Sequence, residues 1–363
     1  MRDIFSIPGL RVYIDECMKV EAKGRLSFLL SPVIKKMNER LSEEKPAAVL
    51  EDGSVVASTW LPPIPSKAFS RLIKAEFKRV LGRPVPTTLS IEVTGRCRCK
   101  CKHCTVAGSE EPPLENLLDI IDQALKLGTC IITLTEGDPL LRKDIIEIVD
   151  YVDDRAIVNM FTPATDLTPD AAKKLKMANL HNLLISLYST VPQKHDYVRG
   201  LEGAYEMALN GIRNGLKAGL LVTLSTHIGH STMNELGPLY ELACSLGVHE
   251  FSVWESIHDP PTNEDRREIL KMYSLVNKTR EGPRMFASTR FEGIDFGCLG
   301  GTRWAHVGVD GGLRPCPYVP VSYGNVYEEG LEKVWRKLSS FREKIKGVGV
   351  CPMQNIEFVN RIR

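Results

Sequence analysis

Short apolar runs, rich in β-branched residues, alternate with longer amphipathic segments between residues 86 and 283. Six of the short runs predict β-strands, at 87–94, 130–135, 156–161, 182–188, 220–226 and 250–256. The segments between them place apolar residues at helical spacing, at 114–128, 141–152, 168–178, 204–219 and 231–247. Strands and helices that alternate in this way indicate a parallel sheet with crossover helices. The pattern therefore predicts an α/β protein whose core is a partial (β/α)6 TIM-type barrel.

Two segments without this alternation flank the predicted barrel. Residues 1–85 contain a helical stretch, a hairpin signal at Asp52-Gly53, a proline-rich run and a basic amphipathic helix. Residues 284–363 contain a second hairpin signal, a helix at 328–345 and further cysteines. We expect three parts: an N-terminal helical and hairpin extension (1–85), the barrel (86–283) and a small C-terminal module (284–363).

Composition narrows the class of protein. The 363 residues are 43% hydrophobic and carry a net charge of +2, which is typical of a soluble globular protein. The near balance of charge gives no sign of a nucleic-acid partner, and no apolar run is long enough to span a bilayer. We therefore expect a cytoplasmic protein. Its ten cysteines are clustered rather than dispersed, which in a reducing compartment indicates metal or redox chemistry.

Four cysteines, Cys97, Cys99, Cys101 and Cys104, lie within eight residues directly after the first predicted strand. This is the end of a β/α barrel that carries its chemistry. A structural zinc site is one interpretation, although such sites usually combine two separated pairs of ligands. The other is a [4Fe–4S] cluster held by three thiolates with one iron left open.

The spacing C-x3-C-x2-C of Cys97, Cys101 and Cys104 on this loop resembles that of the radical S-adenosylmethionine (radical SAM) enzymes. The resemblance implies a cluster whose open iron chelates the amino and carboxylate groups of S-adenosylmethionine. It also implies reductive cleavage to a 5′-deoxyadenosyl radical that abstracts hydrogen from a substrate. A register of Cys99, Cys101 and Cys104 departs from the family's spacing, so the resemblance leaves Cys99 as a bystander.

Further motifs extend the resemblance around the predicted barrel. "TEGDPLL" after the second strand resembles the family's Gly-Gly-Glu-Pro loop, which binds the amino group of the cofactor. Glu136, Gly137 and Asp138 stand in that loop, with Asp138 in place of the usual glutamate.

Two later strand ends continue the same pocket. After the fourth strand, the resemblance implies that Ser186 faces the ribose or the carboxylate of the cofactor and that Arg199 binds the carboxylate. Thr226 at the end of the fifth strand, and Asn234 beyond it, occupy positions that often line this pocket.

The C-terminal module resembles the SPASM and twitch extensions of the same family through Gly311-x4-Cys316 and the helix that follows it. Cys298, Cys316 and Cys351 suggest one auxiliary [4Fe–4S] cluster, for electron transfer or for substrate binding. That cluster has either an open iron or a fourth ligand other than cysteine. The alternative is three unrelated buried thiols.

Partners and substrate are less constrained. The basic residues Arg96, Arg98, Lys100 and Lys102 fit either an acidic electron donor such as a ferredoxin or flavodoxin or a solvated loop. The basic amphipathic helix in "KAFSRLIKAEFKRVLGR" fits either an anionic membrane surface with a hydrophobic, lipid-like substrate or a cap packed on the open end of the barrel. A peptide-recognition module is a third option, but too few strands are evident in this region for one.

The sequence therefore predicts a radical SAM oxidoreductase or carbon–carbon bond-forming enzyme. A lipid-like substrate is the first choice, and a peptide or a tetrapyrrole is the alternative. A zinc-stabilised, non-catalytic binding protein is the hypothesis from another class. A member of the family that has lost catalysis is a narrower one, which Asp138 would favour.

Overall fold

The computed structural model describes residues 2–15, 19–104, 110–345 and 351–362. The N-terminal extension begins with a three-stranded antiparallel sheet in the order β1-β2-β3. Its elements are β1 (Arg2–Ile7), β2 (Leu10–Ile14), β3 (Val20–Lys23), α1 (Ser31–Glu43), β4 (Ala48–Val49), β5 (Val55–Val56) and α2 (Lys67–Val80). The predicted hairpin is confirmed, because β4 and β5 pair around Gly53, which has φ of +79°. The first three strands were not predicted.

The six predicted strands are all present and parallel, with a helix after each one. They are β6 (Thr88–Glu92), α3 (Leu114–Leu127), β7 (Ile131–Thr135), α4 (Ile145–Tyr151), β8 (Ile157–Thr162), α5 (Pro169–Met177), β9 (Asn182–Ser186), α6 (Pro192–Arg199), α7 (Ala204–Lys217), β10 (Leu221–Ile228), α8 (Leu236–Leu246), β11 (Glu250–Glu255) and α9 (Asn263–Lys278). Their central residues are buried on both faces, as expected for a parallel sheet covered by helices. The predicted partial TIM-type barrel is confirmed.

The sheet extends beyond the six predicted strands at both edges. Its order is β12-β11-β10-β9-β8-β7-β6-β13-β14, where the added strands are β12 (Arg284–Ala287), β13 (Trp304–Val307) and β14 (Leu313–Arg314). β12 and β13 pair in parallel with the barrel strands, and the predicted hairpin is β13 with β14. The barrel sheet therefore continues across the boundary predicted at residue 284.

The rest of the C-terminal region is made of short helices. They are α10 (Ser288–Arg290), a π-helix at Phe291–Asp295, α11 (Val326–Glu329), α12 (Leu331–Lys337), α13 (Ser339–Lys344) and α14 (Ile356–Ile362). The single helix predicted at 328–345 is wrong, because Gly330 with φ of +80° separates α11 from α12. No helix in the described ranges is long and apolar enough to cross a membrane.

The N-terminal extension closes the end of the barrel opposite to the cysteine loop. Ser58 and Thr59 donate hydrogen bonds to Glu250 Oε1 at the start of β11, at 3.1 and 2.9 Å. Trp60 enters the barrel, donates its indole N–H to Ser252 Oγ at 2.9 Å and packs on Trp254. The extension thus packs on the barrel at the end opposite to the cysteine loop.

Helix α2 packs against the same end of the barrel. Its apolar residues Phe69, Ile73 and Phe77 are buried in the core of the N-terminal extension, and Ala68 packs against the first residues of β7 and β8. Arg303 of the barrel pairs with Glu76 at 2.7 Å. Because the apolar face of α2 is already covered, it is not available to rest on a membrane.

Candidate active site

The cysteine loop is held between two neighbouring segments of backbone. On one side, Gly137 has φ of +58° and a Cβ there would lie 2.5 Å from the carbonyl oxygen of Arg96. On the other side, Gly200 has φ of +59° and a Cβ would lie 2.5 Å from the carbonyl oxygen of Lys100. The N–H of Lys100 donates to the Arg199 carbonyl at 2.8 Å. Glycine is required at both positions because the conformation and the close approach each exclude a side chain.

A cavity of about 620 Å³ opens above this loop at the carboxyl ends of the strands. Seven of the residues predicted for the cluster and its cofactor line it, namely Cys97, Cys101, Cys104, Glu136, Gly137, Ser186 and Arg199. Cys99 lines it as well. The volume is in the range of small-molecule sites, so the sequence motifs converge on one chamber.

Asp138 and Thr226 were predicted to face the cofactor, and both are buried outside the cavity lining. The Asp138 carboxylate accepts hydrogen bonds from the Thr162 and Thr165 hydroxyls at 2.6 and 3.1 Å. It also caps the turn that follows, through the N–H of Leu140. The side chain of Asp138 therefore turns away from the cavity, contrary to the prediction. Asn234 is exposed and also lies outside the lining.

Glu136 is the carboxylate of this motif that lines the cavity. Its φ of +65° is uncommon for a residue with a side chain and matches the glycine of the family loop. The ligand atoms of Glu136, Glu92 and His306 lie within 4.8 Å of one another. His306 Nε2 and Glu92 Oε1 are 2.8 Å apart. Arg314 Nη1, which lies 3.8 Å from Glu92 Oε1, already places a positive charge beside this group.

Arg199 connects the cysteine loop to the strand ends. Its guanidinium donates to the Ser186 carbonyl at 3.1 Å and lies 3.6 Å from Cys101 Sγ. The same group stacks on the Tyr188 ring, 4.8 Å from its centroid. Arg199 is buried, so it holds a fixed positive charge beside the predicted cluster.

The thiols of the loop interact with one another. Hydrogen bonds with the Cys99 side chain lower the pKa of Cys97 and lower the pKa of Cys101 to about 6. The same bonds, together with burial, raise the pKa of Cys99. Cys99 is therefore the protonated thiol between two neighbours that ionise more readily.

The large cavity is also lined by histidines and tyrosines that were not predicted. His103 Nε2 lies 3.1 Å from the Tyr188 hydroxyl, and His227 Nε2 lies 2.7 Å from the Tyr318 hydroxyl. Burial lowers the pKa of His103 and of His227 to about 4, so both rings are neutral at physiological pH. A signal for His227 was present, because it follows Thr226 at the end of a strand and adjacent residues of a strand face opposite sides.

A second cavity of about 50 Å³ contains the C-terminal cysteines. Cys298, Cys316 and Cys351 line it together with Glu292. Burial raises the pKa of Cys316 to about 12 and that of Glu292 to about 7, with the nearby Glu255 charge adding to the effect on Glu292. The three cysteines, separated by up to 53 positions in sequence, are thus brought into one enclosed site.

The two cavities share a wall. Trp254, Ile257, Trp304 and Tyr318 line both of them. Tyr318 is two residues from Cys316 and bonds to His227 in the large cavity. An aromatic partition therefore separates the predicted cofactor chamber from the second group of cysteines.

The spacing of the sulfur atoms tests the choice of metal. Zn–S bonds of about 2.3 Å in a tetrahedron place sulfurs about 3.8 Å apart. In the part of the chain that the structure describes, no three cysteine sulfurs lie within 4.8 Å of one another. A [4Fe–4S] cluster carries its thiolates on separate iron atoms and needs wider spacing. Neither group of described cysteines therefore has the sulfur spacing of a tetrahedral zinc site.

Comparison with known proteins supports the same interpretation. The sequence profile of the Radical SAM superfamily matches residues 91–243, and that of SPASM, an iron–sulfur cluster-binding domain, matches residues 298–353. The chain belongs to the radical SAM superfamily. As a radical SAM enzyme with a SPASM domain, it uses [4Fe–4S] clusters and S-adenosylmethionine as cofactors. These matches argue against the zinc-stabilised binding protein and against the member without catalysis.

Two curated relatives and one solved structure show the range of this radical SAM branch. The chain is 29% identical over 313 residues to the AdoMet-dependent heme synthase of Methanosarcina barkeri, covering 75% of this chain and 90% of the relative. It is 24% identical over 295 residues to the PqqA peptide cyclase of Rhizobium meliloti, covering 74% and 78%. Streptococcus suis SuiB bound to the precursor peptide SuiA shares the fold, with a TM-score of 0.59, 15% identity and coverage of 85% and 77%.

Proposed function

We propose that Cys97, Cys101 and Cys104 hold the S-adenosylmethionine-binding cluster and that the cofactor occupies the large cavity above them. The bound cluster and cofactor supply a 5′-deoxyadenosyl radical for hydrogen abstraction. Arg199 is placed to receive the cofactor carboxylate, because its guanidinium is held between Cys101 Sγ and the Ser186 carbonyl. Cys298, Cys316 and Cys351 hold the auxiliary cluster on the other side of the aromatic partition.

We assign the cofactor ammonium to Glu136 rather than to Asp138. Glu136 lines the large cavity, whereas Asp138 is buried outside its lining and accepts hydrogen bonds from two threonine hydroxyls. We expect Glu136→Gln to weaken S-adenosylmethionine binding roughly tenfold in anaerobic equilibrium dialysis. Asp138→Asn is expected to lower stability with little change in affinity. The opposite ranking of affinities would return the role to Asp138.

We propose a peptide as the substrate, and the N-terminal sheet carries this choice. Among the described residues β1 pairs only with β2, which leaves one of its edges unpaired, and side chains of β1 border a groove of about 710 Å³. Phe5 and Ile7 of β1 line that groove with Lys74, Lys78 and Arg83. An unpaired strand edge accepts an extended peptide through backbone hydrogen bonds, and the cations favour an acidic segment. β3 is less suited, because Asn38 bonds both the N–H and the carbonyl of Val20.

The groove lies at the end of the barrel opposite to the cysteine loop, beside residues 83–85 before β6. A peptide docked there would therefore reach the cavity with a different segment. One of the relatives acts on a peptide, as its name states, which supports the same substrate class. A lipid-like substrate has less support, because the apolar face of α2 is buried.

A tetrapyrrole is the second candidate, favoured by the aromatic lining of the large cavity and by the heme synthase relative. Peptide-sized and small-molecule fractions of a cell extract distinguish the two. We expect the peptide fraction to raise 5′-deoxyadenosine formation above the uncoupled rate and expect prior protease digestion to remove the effect. Lys74→Glu with Lys78→Glu should reduce this stimulation while leaving the uncoupled rate unchanged. Stimulation confined to the small-molecule fraction and resistant to protease would favour the tetrapyrrole.

We also propose an acidic electron donor of the ferredoxin or flavodoxin type. The basic loop is partly neutralised, since Arg96 pairs with Glu111 and Arg98 pairs with Asp166. Lys102 lies over the Tyr197 ring and is exposed. Exposed cations steer an acidic partner in a salt-dependent way. Lys102→Glu is expected to slow reduction by flavodoxin at low salt but not reduction by dithionite, and equal rates with flavodoxin would remove the loop from the docking surface.

A further inference from the structure

The auxiliary site contains a carboxylate that has no other evident role. Glu292 lines the small cavity with Cys298, Cys316 and Cys351. Within the described ranges, no side chain or backbone N–H is hydrogen-bonded to its carboxylate, and burial and the Glu255 charge are what act on it. A partly buried carboxylate without a hydrogen-bond donor is costly. Placing it beside three thiols that ionise on metal binding would raise that cost unless a cation lies between them.

The other polar groups of the same cavity are already used. Glu255 accepts hydrogen bonds from Arg266, Gln354 and Thr289, at 2.9, 2.9 and 2.7 Å. Other neighbours are also engaged, since the Tyr318 hydroxyl bonds to His227, the Trp304 indole N–H donates to Ser90, and the Ser288 hydroxyl accepts from the N–H of Glu255. Among the described residues that line the small cavity, Glu292 is therefore the carboxylate whose oxygens remain available to bind iron.

A short π-helix positions Glu292 at the wall of the small cavity. It lies in the five-residue π-helix Phe291–Asp295, six positions before Cys298. Phe291 stacks on Phe286 of β12 with centroids 4.6 Å apart, and Arg290 pairs with Asp295 at 3.1 Å. These contacts fix both ends of the turn. Single π-turns are rare and are frequently found at functional sites.

We propose that the Glu292 carboxylate is the fourth ligand of the auxiliary cluster, completing a site of three cysteines and one glutamate. This inference rests on the proposed assignment of Cys298, Cys316 and Cys351 to that cluster. With four protein ligands, the auxiliary cluster has no open iron for a substrate. Its role is then electron transfer across the partition formed by Trp254, Trp304 and Tyr318, not substrate binding.

The test uses the full chain with Cys97→Ala, Cys101→Ala and Cys104→Ala, so that only the auxiliary cluster remains. Added ¹³C-cyanide binds an iron that lacks a protein ligand and produces ¹³C hyperfine coupling in the spectrum of the reduced cluster. We expect no coupling when Glu292 is present. With Glu292→Ala we expect coupling to appear, or conversion to a three-iron cluster on oxidation. Glu255→Gln is the matched control, because it removes a carboxylate of the same cavity that is not a ligand.

Each outcome is decisive. If the cysteine-deficient chain binds no iron and sulfide, the proposed cysteine assignment fails and the role of Glu292 fails with it. If it binds about four irons and shows cyanide coupling with Glu292 intact, the assignment stands and the inference is overturned. Should Glu292→Ala lose the cluster entirely, Glu292→Cys decides: restored iron content supports a ligand role, and unrestored iron content contradicts it.

Discussion

Replacing Gly200 with alanine should release the cysteine loop without touching a cluster ligand. Gly200 is left-handed, with φ of +59° and ψ of +34°, so alanine costs about 1 kcal/mol in conformation alone. Its Cβ would also lie 2.5 Å from the Lys100 carbonyl oxygen and 3.0 Å from the carbonyl carbon. Both are backbone atoms, so the peptide that precedes Cys101 must move by roughly half an ångström or more to restore ordinary contact.

Gly203 offers a matched control three residues away. It is also left-handed, with φ of +77°, but a Cβ there would meet only the end of the Met207 side chain at 3.7 Å. Gly203→Ala therefore carries the same conformational cost without the clash.

The assay is iron and sulfide content after anaerobic reconstitution, followed by 5′-deoxyadenosine formation under reducing conditions. We expect Gly200→Ala to lose about half of the iron, because the auxiliary cluster remains, and to lose nearly all cofactor cleavage. Gly203→Ala should keep both. If Gly200→Ala keeps wild-type iron and cleavage, the loop does not depend on this contact and the reasoning is wrong.

Three further predictions concern thiols, a buried ion pair and pH. Cys97→Ala should lose the cofactor-binding cluster and Cys99→Ala should keep it, by iron content and 5′-deoxyadenosine formation; the reverse result would establish the other register. Arg284→Ala should cost about 3–5 kcal/mol in chemical unfolding, because Arg284 pairs with the fully buried Glu250 at 3.1 Å; a loss below 1 kcal/mol would contradict this. Burial lowers the pKa of His195 to about 3, against about 6.5 when unfolded, so its contribution is complete above pH 6.5 and decreases as the pH falls toward 3. At pH 5 the loss of unfolding free energy is about 2 kcal/mol. We expect His195→Asn to show a shallower pH dependence of the unfolding free energy between pH 6.5 and 5. An unchanged pH dependence would contradict the role of this ring.

The sequence predicted well those regions whose structure depends on residues that are close together in the chain. A strand buried on both faces must be apolar along its length, so the six barrel strands were evident. The spacing of Cys97, Cys101 and Cys104 is set within a single loop, which made the resemblance to radical SAM enzymes readable without any knowledge of the fold. Gly137 in the adjoining motif was found for the same reason.

The elements that were missed depend on contacts between distant parts of the chain. β13 pairs with β6 across more than 200 residues, and no local periodicity reports such a partner. β1, β2 and β3 are short, with a tight connection at residues 8–9 between the first two, so their apolar pattern was too brief to distinguish from irregular structure. The closure by Ser58, Thr59 and Trp60 is likewise formed only against strands that lie far along the chain.

The sequence alone therefore determined the class of protein, the barrel and the cysteine spacing, because hydrophobic periodicity and ligand spacing act over a few residues. Only the tertiary structure decided which side chains face the large cavity. The Asp138 side chain points toward the hydroxyls of Thr162 and Thr165, and the Glu136 side chain lines the cavity. Side-chain direction depends on backbone angles and on neighbouring strands, which the sequence pattern does not report. The tertiary structure also brought Glu292 beside Cys298, Cys316 and Cys351, an arrangement that exists only once β11, β12 and the C-terminal segment have packed together.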